Sequence, residues 1–369
     1  MSSTINTDPH SRARPDVLSL APDVLRSALS EHIAAEGQAA YRVAQIEHWI
    51  YSSPVRSFAE MTNLPKGVRN ALASSFQLRE PELAKAAQSS DGTCKHLWQL
   101  HDGELIESVL IPDRSRLTLC ISSQAGCAVG CTFCATGWAG FTRQLTAGEI
   151  VAQYRASLRW AADHELGPIT NIVYMGMGEP FANLAAVLTS LTILNRGFGL
   201  GARRITVSTV GLTPGILELS QRPEQFGLAL SLHAPISSLR EQLIPIEKRY
   251  PLPELMDAVH NFRESKGRRV TFEYTMIQGV NDDESMADEL ARLAGKVQAF
   301  VNLIPFNPIP YQDWVPSSAT RIEFFRATLE RAGVSTAIRH PRGRDIDAAC
   351  GQLRANALVQ LKKDRRPSA

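Results

Sequence analysis

Hydrophobic positions recur at helical spacing over roughly the first fifth of the chain. In APDVLRSALSEHIAAEG and again in YRVAQIEHWIY, apolar residues return every three or four positions, which predicts helices between about residues 21 and 80. Gly37 is the predicted end of the first helix. Ser57 or Thr62 is expected to start a further short helix, the second with Pro65 at an early position. This part of the chain is therefore predicted to be a small helical domain.

Strand periodicity replaces helical periodicity between about residues 88 and 123. The segments CKHLWQL, ELIESVLIP and RLTLCISS alternate or run apolar between the turn signals Asp91-Gly92 and Asp102-Gly103. Helices and strands then alternate, beginning with a helix at which Thr146 and Glu149 form a capping box. The predicted strands are 169–176, 203–209, 226–233, 269–276, 300–306 and 334–340, and the predicted helices lie within 146–165, 183–196, 213–220, 236–265, 283–294 and 317–332.

Repeated strand–helix units predict an α/β fold with parallel strands and right-handed crossovers. About six such units fit a partial (β/α)6 barrel, in which the chemistry gathers at the C-terminal ends of the strands. The predicted organisation is a disordered tail (1–18), a helical accessory domain (19–85), a strand-rich extension (86–118), the barrel (119–343) and a C-terminal segment (344–369).

Composition narrows the class of protein. With 369 residues, of which 44% are hydrophobic, the chain can bury a large core, whereas a net charge of +2 gives no overall basic field for nucleic acid. The N-terminus lacks an apolar run of signal-peptide length, and no apolar stretch approaches the roughly 20 residues that span a bilayer. The clustering of the six cysteines argues against a secreted disulfide framework. A cytoplasmic protein is therefore expected.

Three cysteines lie within eight residues, in Cys127-Ala-Val-Gly-Cys131-Thr-Phe-Cys134. Thiolates select zinc, copper(I) or iron–sulfur clusters; a structural zinc site needs four protein ligands, and an iron–sulfur cube usually has four thiolates. Three cysteines would leave one iron open to a small molecule, and Gly126 and Gly130 let the chain wrap closely around the metal. A partial zinc site and three buried core cysteines are the alternatives.

Glycines and polar residues recur where the predicted strands end. The turn 175–180, Met-Gly-Met-Gly-Glu-Pro, follows the first strand after the cysteines, and its glycines permit close approach of a ligand to the backbone. Ser208, the run Ser231-Leu232-His233 and Asn307 lie at later strand ends, where polar groups could bond a ligand. Taken singly, each is more often a capping or turn residue. Their recurrence at successive strand ends favours one common site.

Two further thiols stand apart from the three-cysteine motif. Cys350 lies in RGRDIDAACGQL, among small residues that would allow a thiol to swing into a site, although such a cysteine is usually a small buried hydrophobe. Cys120 lies shortly before the motif, and the two outer thiols could form a transient pair.

Together these motifs resemble a known family. The C-x3-C-x2-C spacing with Phe133 is typical of the radical S-adenosylmethionine (SAM) superfamily, and GMGEP resembles its motif that binds the SAM amino group, with Met177 in place of the first glycine. RLTLCISSQAGCAVGCTFCATG, GMGEP, RGRDIDAACGQL and the N-terminal EMTNLPKGVRNAL are similar to the radical SAM adenine-C2 methyltransferases of 23S ribosomal RNA. Those enzymes also methylate certain tRNAs next to the anticodon. The resemblance extends from about residue 20 to 355.

The resemblance implies a radical SAM barrel with a [4Fe-4S] cluster and two S-adenosyl-L-methionine molecules per turnover. It implies that Cys127, Cys131 and Cys134 hold the cluster. The SAM contacts that it implies are Gly178, Glu179, Ser208, Ser231, Leu232, His233 and Asn307.

The same resemblance implies a use for the two outer thiols. C2 of adenine is not nucleophilic, so ordinary transfer of the SAM methyl cation cannot reach it and radical chemistry is required. In the family, the counterpart of Cys350 takes a methyl group from one SAM, and a radical from a second SAM removes a hydrogen atom from it. The carbon radical adds to C2, a base corresponding to Glu107 removes the C2 proton, and the counterpart of Cys120 forms a disulfide that releases the RNA. From its own sequence context, Glu107 is more simply a solvated strand residue.

RNA as a partner rests on the resemblance and on local positive charge. The candidate basic clusters are 203–204, 266–269, 339–344 and 362–366, although each is more often a solvated face. The accessory domain is either a bare helical bundle or a second RNA contact.

An electron donor such as flavodoxin with its reductase is expected, the protein is expected to be a monomer, and no membrane partner is expected. The alternatives are methylation at C8, as in antibiotic-resistance relatives, another radical SAM chemistry such as glycyl-radical generation, and a zinc-stabilised RNA-binding module.

Overall fold

The structure is a computed structural model that describes residues 14–353; residues 1–13 and 354–369, which include the predicted basic cluster 362–366, lie outside the described part. The helices are α1 Pro22–Ala35, α2 Tyr41–Tyr51, α3 Lys66–Ser75, α4 Ala135–Ala139, α5 Ala147–Asp163, α6 Leu184–Thr192, α7 Thr213–Gln221, α8 Ser237–Leu243, α9 Leu252–Lys266, α10 Glu284–Lys296 and α11 Ala319–Arg331. The strands are β1 Glu82–Gln88, β2 Cys94–Gln99, β3 Leu105–Asp113, β4 Arg116–Cys120, β5 Gln124–Gly126, β6 Phe141–Gln144, β7 Asn171–Tyr174, β8 Ile205–Thr209, β9 Gly227–Ser231, β10 Thr271–Met276, β11 Phe300–Pro305 and β12 Thr336–Ile338.

Ten of the strands form one sheet in the order β1-β2-β3-β4-β7-β8-β9-β10-β11-β12. The first four pair antiparallel, whereas every neighbouring pair from β4 to β12 is parallel. Within the described residues no pairing joins β12 to β4, so the barrel is open. The α/β barrel, the strand-rich extension and the helical N-terminal region predicted from the sequence are confirmed. One hydrophobic core underlies the barrel and a second lies inside the helical domain.

Local signals located most helix boundaries. Thr146 accepts a hydrogen bond from the Glu149 N–H while the Glu149 side chain bonds back to the Thr146 N–H, which confirms the capping box of α5. Gly37 follows the end of α1 with φ of 64°. Ser57 precedes only a single 3₁₀ turn, and α3 takes Pro65, not Thr62, as its N-cap, so the predicted start at Thr62 is wrong.

Other segments differ from the sequence prediction for identifiable reasons. β1 was missed because it is an edge strand whose residues are mostly exposed, so it carries little alternation of apolar and polar side chains. The short β5–β6 hairpin around the cysteine motif was also missed. Val17 and Leu18 are each only 1% exposed and begin a 3₁₀ turn, so the packed chain starts earlier than the predicted tail boundary at residue 18.

A buried arginine joins the helical domain to the barrel. Arg155 of α5 has no exposed side-chain surface, and its guanidinium donates to the carbonyl oxygens of Ile50 and Val55 at 2.9 and 2.6 Å. It also forms an ion pair with Glu80 at 2.8 Å. Separating the helical domain from α5 would leave the buried Arg155 charge without these partners, which is costly. The contact therefore fixes the helical domain against α5.

No helix among the described residues is long and apolar enough to cross a membrane.

Burial of His96 predicts a loss of stability in acid. The ring lies between Trp98 and Trp160, and burial, with a smaller effect from His164, lowers its pKa from 6.5 to about 4. Below pH 6.5 the unfolded chain therefore binds this proton more tightly, and stability falls by about 3 kcal/mol as the pH approaches 4. Urea unfolding at pH 7 and pH 4.5 would measure the loss. His96→Phe keeps an aromatic ring and should reduce the pH dependence; an unchanged difference between the two pH values would contradict this origin.

Candidate active site

Strand register places the predicted site residues on one face of the sheet. Directly paired residues point to the same face, and every second residue along a strand returns to it. Cys120 pairs with Val109 on β3 and with Val173 on β7, so Glu107 and Met175 share its face. Continuing across β8 to β12, the same alternation adds Ser208, Ser231, Glu273, Asn302 and Arg339.

This face forms the wall of a cavity at the C-terminal ends of the parallel strands. Residues that line the cavity include Cys127, Cys131, Cys134, Gly178, Glu179, Ser208, Ser231, His233, Asn307 and Cys350, together with Met175, Glu273, Thr275 and Arg339. Ten of the thirteen residues predicted from the sequence therefore meet in one place. Leu232, Cys120 and Glu107 are not among the lining residues.

The three-cysteine loop is shaped by its glycines and by the following helix. A side chain at Gly126, whose φ is 82°, would overlap the Gly140 carbonyl, to which the Cys127 N–H also donates at 2.9 Å. Cys134 caps α4, and its N–H donates to the Cys131 carbonyl at 3.2 Å. Gly126 is therefore required by the β5–β6 hairpin that presents the loop.

The environment of the three thiols suits metal coordination. Burial raises the pKa of Cys127 to about 12 and the pKa of Cys131 well above its usual value, and the neighbouring thiols act in the same direction. Such thiols stay protonated until a metal replaces the proton. Within residues 14–353 no three His, Cys, Asp or Glu side chains are grouped to hold a single metal ion. The three thiols instead line the cavity together.

Glu179 is fixed by three donors at the end of the first βα turn. Its carboxylate accepts hydrogen bonds from Thr209 Oγ1 at 2.8 Å, from Val210 N at 2.9 Å and from Phe181 N at 3.0 Å. Burial raises the pKa of this carboxyl to about 7 despite those bonds. Gly178 has φ of 99°, and a Cβ there would collide with Gln124, so only glycine fits.

The polar residues at the next strand ends are held in defined orientations. Ser208 Oγ and Ser231 Oγ lie 3.3 Å apart. His233, at φ of 54°, accepts the Thr275 N–H at Nδ1 over 3.0 Å, and burial lowers its pKa to about 3, so the ring is neutral with its proton on Nε2. Its ring packs 4.5 Å from Phe133 of the cysteine motif. Leu232, in contrast, has 0% exposure in the core and is not among the residues that line the cavity.

A loop from Gly343 to Leu353 carries Cys350 across the mouth of the cavity. On one side, Asn307 Nδ2 donates to the Cys350 carbonyl at 3.2 Å and the Ala135 N–H donates to the Gly351 carbonyl at 2.6 Å. On the other side, Ser89 Oγ donates to Asp345 Oδ1 at 2.6 Å. Cys350 is thereby held beside the three-cysteine loop while its side chain remains exposed.

Cys120 lies close to Cys350, with Arg339 beside both. Burial raises the pKa of Cys120 to about 12, with Cys350 as the next cause and Arg339 opposing the shift. The pKa of Arg339 is raised first by Cys350 and then, against its own burial, by Glu273 and Cys120. Both outer thiols are free and unbridged in this structure. The arrangement places two thiols of separate segments near one guanidinium.

Glu107 is buried, so the simpler interpretation of a solvated strand residue is wrong. It is 2% exposed, and its Oε1 lies 3.3 Å from Lys95 Nζ on β2. Its backbone carbonyl accepts a hydrogen bond from Ser122 Oγ at 2.6 Å. Register gives Glu107 the same sheet face as Cys120, although Glu107 is not among the residues that line the cavity.

The basic clusters separate into two groups. Arg203-Arg204 directly precede β8 and residues 266–269 precede β10, at the strand ends opposite the cavity. Lys266 and Arg268 also donate to backbone carbonyls of 222–225, which occupies their charges. The cluster 339–344, by contrast, leads into the Cys350 loop. It is therefore the described cluster that could contact RNA beside the site.

Sequence reasoning did not find Lys95, Glu273 or Thr209 as site residues, and it assigned Arg339 only to a basic cluster. Glu273 bonds Asn302 Nδ2 at 2.9 Å and lies 3.8 Å from Arg339. An acidic residue inside the apolar strand RVTFEYTM was a signal that could have identified Glu273. Lys95 and Thr209 became recognisable only through contacts across strands.

The residues present fit the cluster and the SAM that the resemblance implies. The donor set is three soft thiols on one loop, as an iron–sulfur cluster with one open iron requires. Asn307 Oδ1 is buried at the cavity without a hydrogen-bond partner in the described structure, as is Glu273 Oε2. Buried polar atoms of this kind indicate room for a polar ligand.

Two family models match the chain. The Radical SAM superfamily matches residues 121–291, and the Ribosomal RNA large subunit methyltransferase N-terminal domain matches residues 22–78. The first match covers the cysteine loop and most of the barrel, and the second covers the helical domain.

Curated relatives and a solved structure match nearly the whole chain. A probable dual-specificity RNA methyltransferase RlmN of Gemmatimonas aurantiaca is 51% identical over 93% of this chain and 94% of its own. The protein of the same name from Bacillus subtilis is 43% identical over 93% of each chain. The crystal structure of a radical SAM methyltransferase from Sphaerobacter thermophilus superposes with a TM-score of 0.87 at 46% identity, covering 92% of this chain and 99% of that one.

Proposed function

The chain belongs to the RlmN family of radical SAM RNA methyltransferases, and we propose that it methylates C2 of an adenosine in 23S rRNA and of the adenosine next to the anticodon in tRNA. One observation carries this proposal: Cys350 lines the same cavity as Cys127, Cys131 and Cys134, with Cys120 close by. A zinc-stabilised binding module would have no use for two further thiols at that position.

The [4Fe-4S] cluster and SAM, when bound, supply the methyl group and the radical that removes a hydrogen atom from it. Cys127, Cys131 and Cys134 would hold the cluster. Gly178, Glu179, Ser208, Ser231, His233 and Asn307 would hold SAM; the resemblance adds Leu232, which does not line the cavity. Two SAM molecules are consumed per turnover, because methyl donation and radical formation each use one.

The residues of the chain divide the remaining work. Cys350 carries the methyl-derived carbon on a loop that lies over the cavity, so the carbon can reach C2 of a base inserted there. Glu107 accepts the proton from C2, a role supported by its buried carboxylate and by the sheet face that it shares with Cys120. The Cys120 thiolate then attacks the Cys350 sulfur and breaks its bond to the carbon. The carbon takes up a proton, which frees the methylated RNA and leaves a disulfide between Cys120 and Cys350. The target adenine must leave its stack to enter this cavity.

Partners follow from the chemistry. RNA is the substrate, and a flavodoxin with its reductase would supply electrons to the cluster. The enzyme would act as a monomer in the cytoplasm, where its RNA substrates are. The product is tested by digesting 23S rRNA and tRNA treated with the reconstituted enzyme and separating the nucleosides by mass spectrometry. 2-Methyladenosine supports the proposal, and 8-methyladenosine or no methylated adenosine refutes it.

Binding of RNA should weaken as salt rises. A site that uses the basic residues 339–344 would displace counterions from RNA phosphates, and for single strands the logarithm of affinity falls with a slope of about −0.7 per phosphate contact. Fluorescence anisotropy with a tRNA anticodon stem-loop between 50 and 300 mM salt would measure the slope. Arg342→Gln should reduce the magnitude of that slope by at most one phosphate contact, which is about 0.7. Arg203→Gln, on the opposite side of the barrel, should leave the slope unchanged. Salt-independent binding would contradict phosphate contacts.

A further inference from the structure

Lys95 stands between two parts of the proposed site. Its side chain is 12% exposed, and its ammonium lies 3.3 Å from Glu107 Oε1 and donates to the Asp347 carbonyl at 3.0 Å. Glu107 belongs to the sheet wall, whereas Asp347 belongs to the loop that carries Cys350. One ammonium thus contacts the proposed base and the segment of the proposed methyl carrier.

The contact to Glu107 is fixed by sheet geometry. Lys95 on β2 pairs with Val109 on β3, and Glu107 is two residues from Val109 on the same strand. The two side chains are therefore diagonal neighbours on the inner face, a separation that a long side chain spans. Burial makes the pairing important, because an unpaired charge in a buried site is costly.

The contact to Asp347 belongs to a wider attachment of the loop to the β1–β2 hairpin. Gly343 N donates to Asp91 Oδ2 at 3.0 Å, and Ser89 Oγ and Ser90 N donate to the Asp345 carboxylate at 2.6 and 3.2 Å. Those contacts hold the loop without touching Glu107. Lys95 differs from them because it also contacts the carboxylate.

We infer that Lys95 is a positioning residue that orients the Glu107 carboxylate relative to the Cys350 loop. Glu107 can then remove the C2 proton once the carbon on Cys350 has bonded to the adenine ring. This inference rests on the proposed function and deepens it. Lys95 acts through its positive charge beside Glu107 and its hydrogen bond to the Asp347 carbonyl, and it forms no bond to the substrate. When the loop is docked, the Asp347 carbonyl holds the ammonium in the position that orients Glu107.

The inference predicts the reaction step at which a Lys95 variant stalls. Lys95→Met should still acquire a methyl group on Cys350, because that step needs neither Glu107 nor RNA. It should then slow at proton removal by about tenfold or more, since a positioned base contributes roughly 10²- to 10⁴-fold, and should accumulate the covalent protein–RNA species. Denaturing gels measure the covalent species, and mass spectrometry of the Cys350 peptide measures methylation. Lys95→Arg, which keeps the charge and the donors, should restore most of the turnover.

Matched variants separate positioning from folding and from loop docking. Ser89→Ala removes a loop contact at 2.6 Å without touching Glu107 and should not accumulate the covalent species. Lys95→Gln, which keeps a donor but loses the charge, should show the same block as Lys95→Met even if the methionine variant folds poorly. A Lys95 variant that loses Cys350 methylation, or that turns over at the wild-type rate, would overturn the inference. If the wild-type protein never acquires a methyl group on Cys350, the proposed function itself fails.

Discussion

Replacement of Cys350 with Ala should reduce methyl transfer to RNA to background while leaving the iron–sulfur site intact. The thiol is the proposed carrier of the carbon, and the cavity offers no other exposed thiol among the described residues because the three motif cysteines would be bound to iron. Transfer of labelled methyl groups from SAM to RNA measures the loss, and iron content together with the visible spectrum measures the cluster.

The matched control for this variant is Cys94→Ala. Cys94 is buried on β2, is not among the residues lining the cavity and lies 3.5 Å from His96 Nε2. Its replacement should leave methyl transfer close to the wild-type rate and affect mainly stability. Measurable RNA methylation by Cys350→Ala, with Cys94→Ala active, would show that Cys350 is not the carrier.

Replacement of Cys120 with Ala should trap the enzyme on its RNA. Attachment of the Cys350-borne carbon to C2 does not use Cys120, but release requires a second sulfur to bond the Cys350 sulfur. Cys120 is 7% exposed and neighbours Cys350, which suits a partner reserved for one thiol. A denaturing gel should therefore show a protein–RNA species in near-stoichiometric amount, with little free methylated RNA.

The double variant Cys120→Ala/Cys350→Ala is the control for this trapping. It should form no covalent protein–RNA species, because without the Cys350 thiol no carbon is attached to the protein. Free 2-methyladenosine released by Cys120→Ala at the wild-type rate would contradict the role of Cys120. So would a covalent species that forms equally in the double variant.

Local sequence signals were sufficient for the barrel and for most of the site. The alternation of strands and helices after Thr146 follows from periodicity and capping, which are properties of neighbouring residues. The positions of Glu179, Ser208 and Asn307 at the cavity follow from the rule that parallel strands present their C-terminal ends to one side. Each of these predictions needed only the order of residues along the chain.

The features that the sequence did not reveal depend on contacts between distant segments. Glu107 looked like a solvated residue because its burial and its contact with Lys95 on the neighbouring strand β2 depend on strand pairing, which the order of residues alone does not show. Leu232 was grouped with its neighbours Ser231 and His233, although strand alternation turns it into the core. β1 showed no alternation of apolar and polar residues, because both faces of this edge strand are mostly exposed and neither has to be apolar.

The most direct test of the account follows the hydrogen atoms of the transferred methyl group. In a single turnover with SAM bearing a trideuterated methyl group, mass spectrometry should first find three deuterium atoms on Cys350. Because one hydrogen atom must leave that carbon before it bonds to C2, the 2-methyladenosine formed should keep only two of the three. Product carrying all three deuterium atoms, or product formed without labelled Cys350, would contradict the proposal that Cys350 carries the carbon to the RNA.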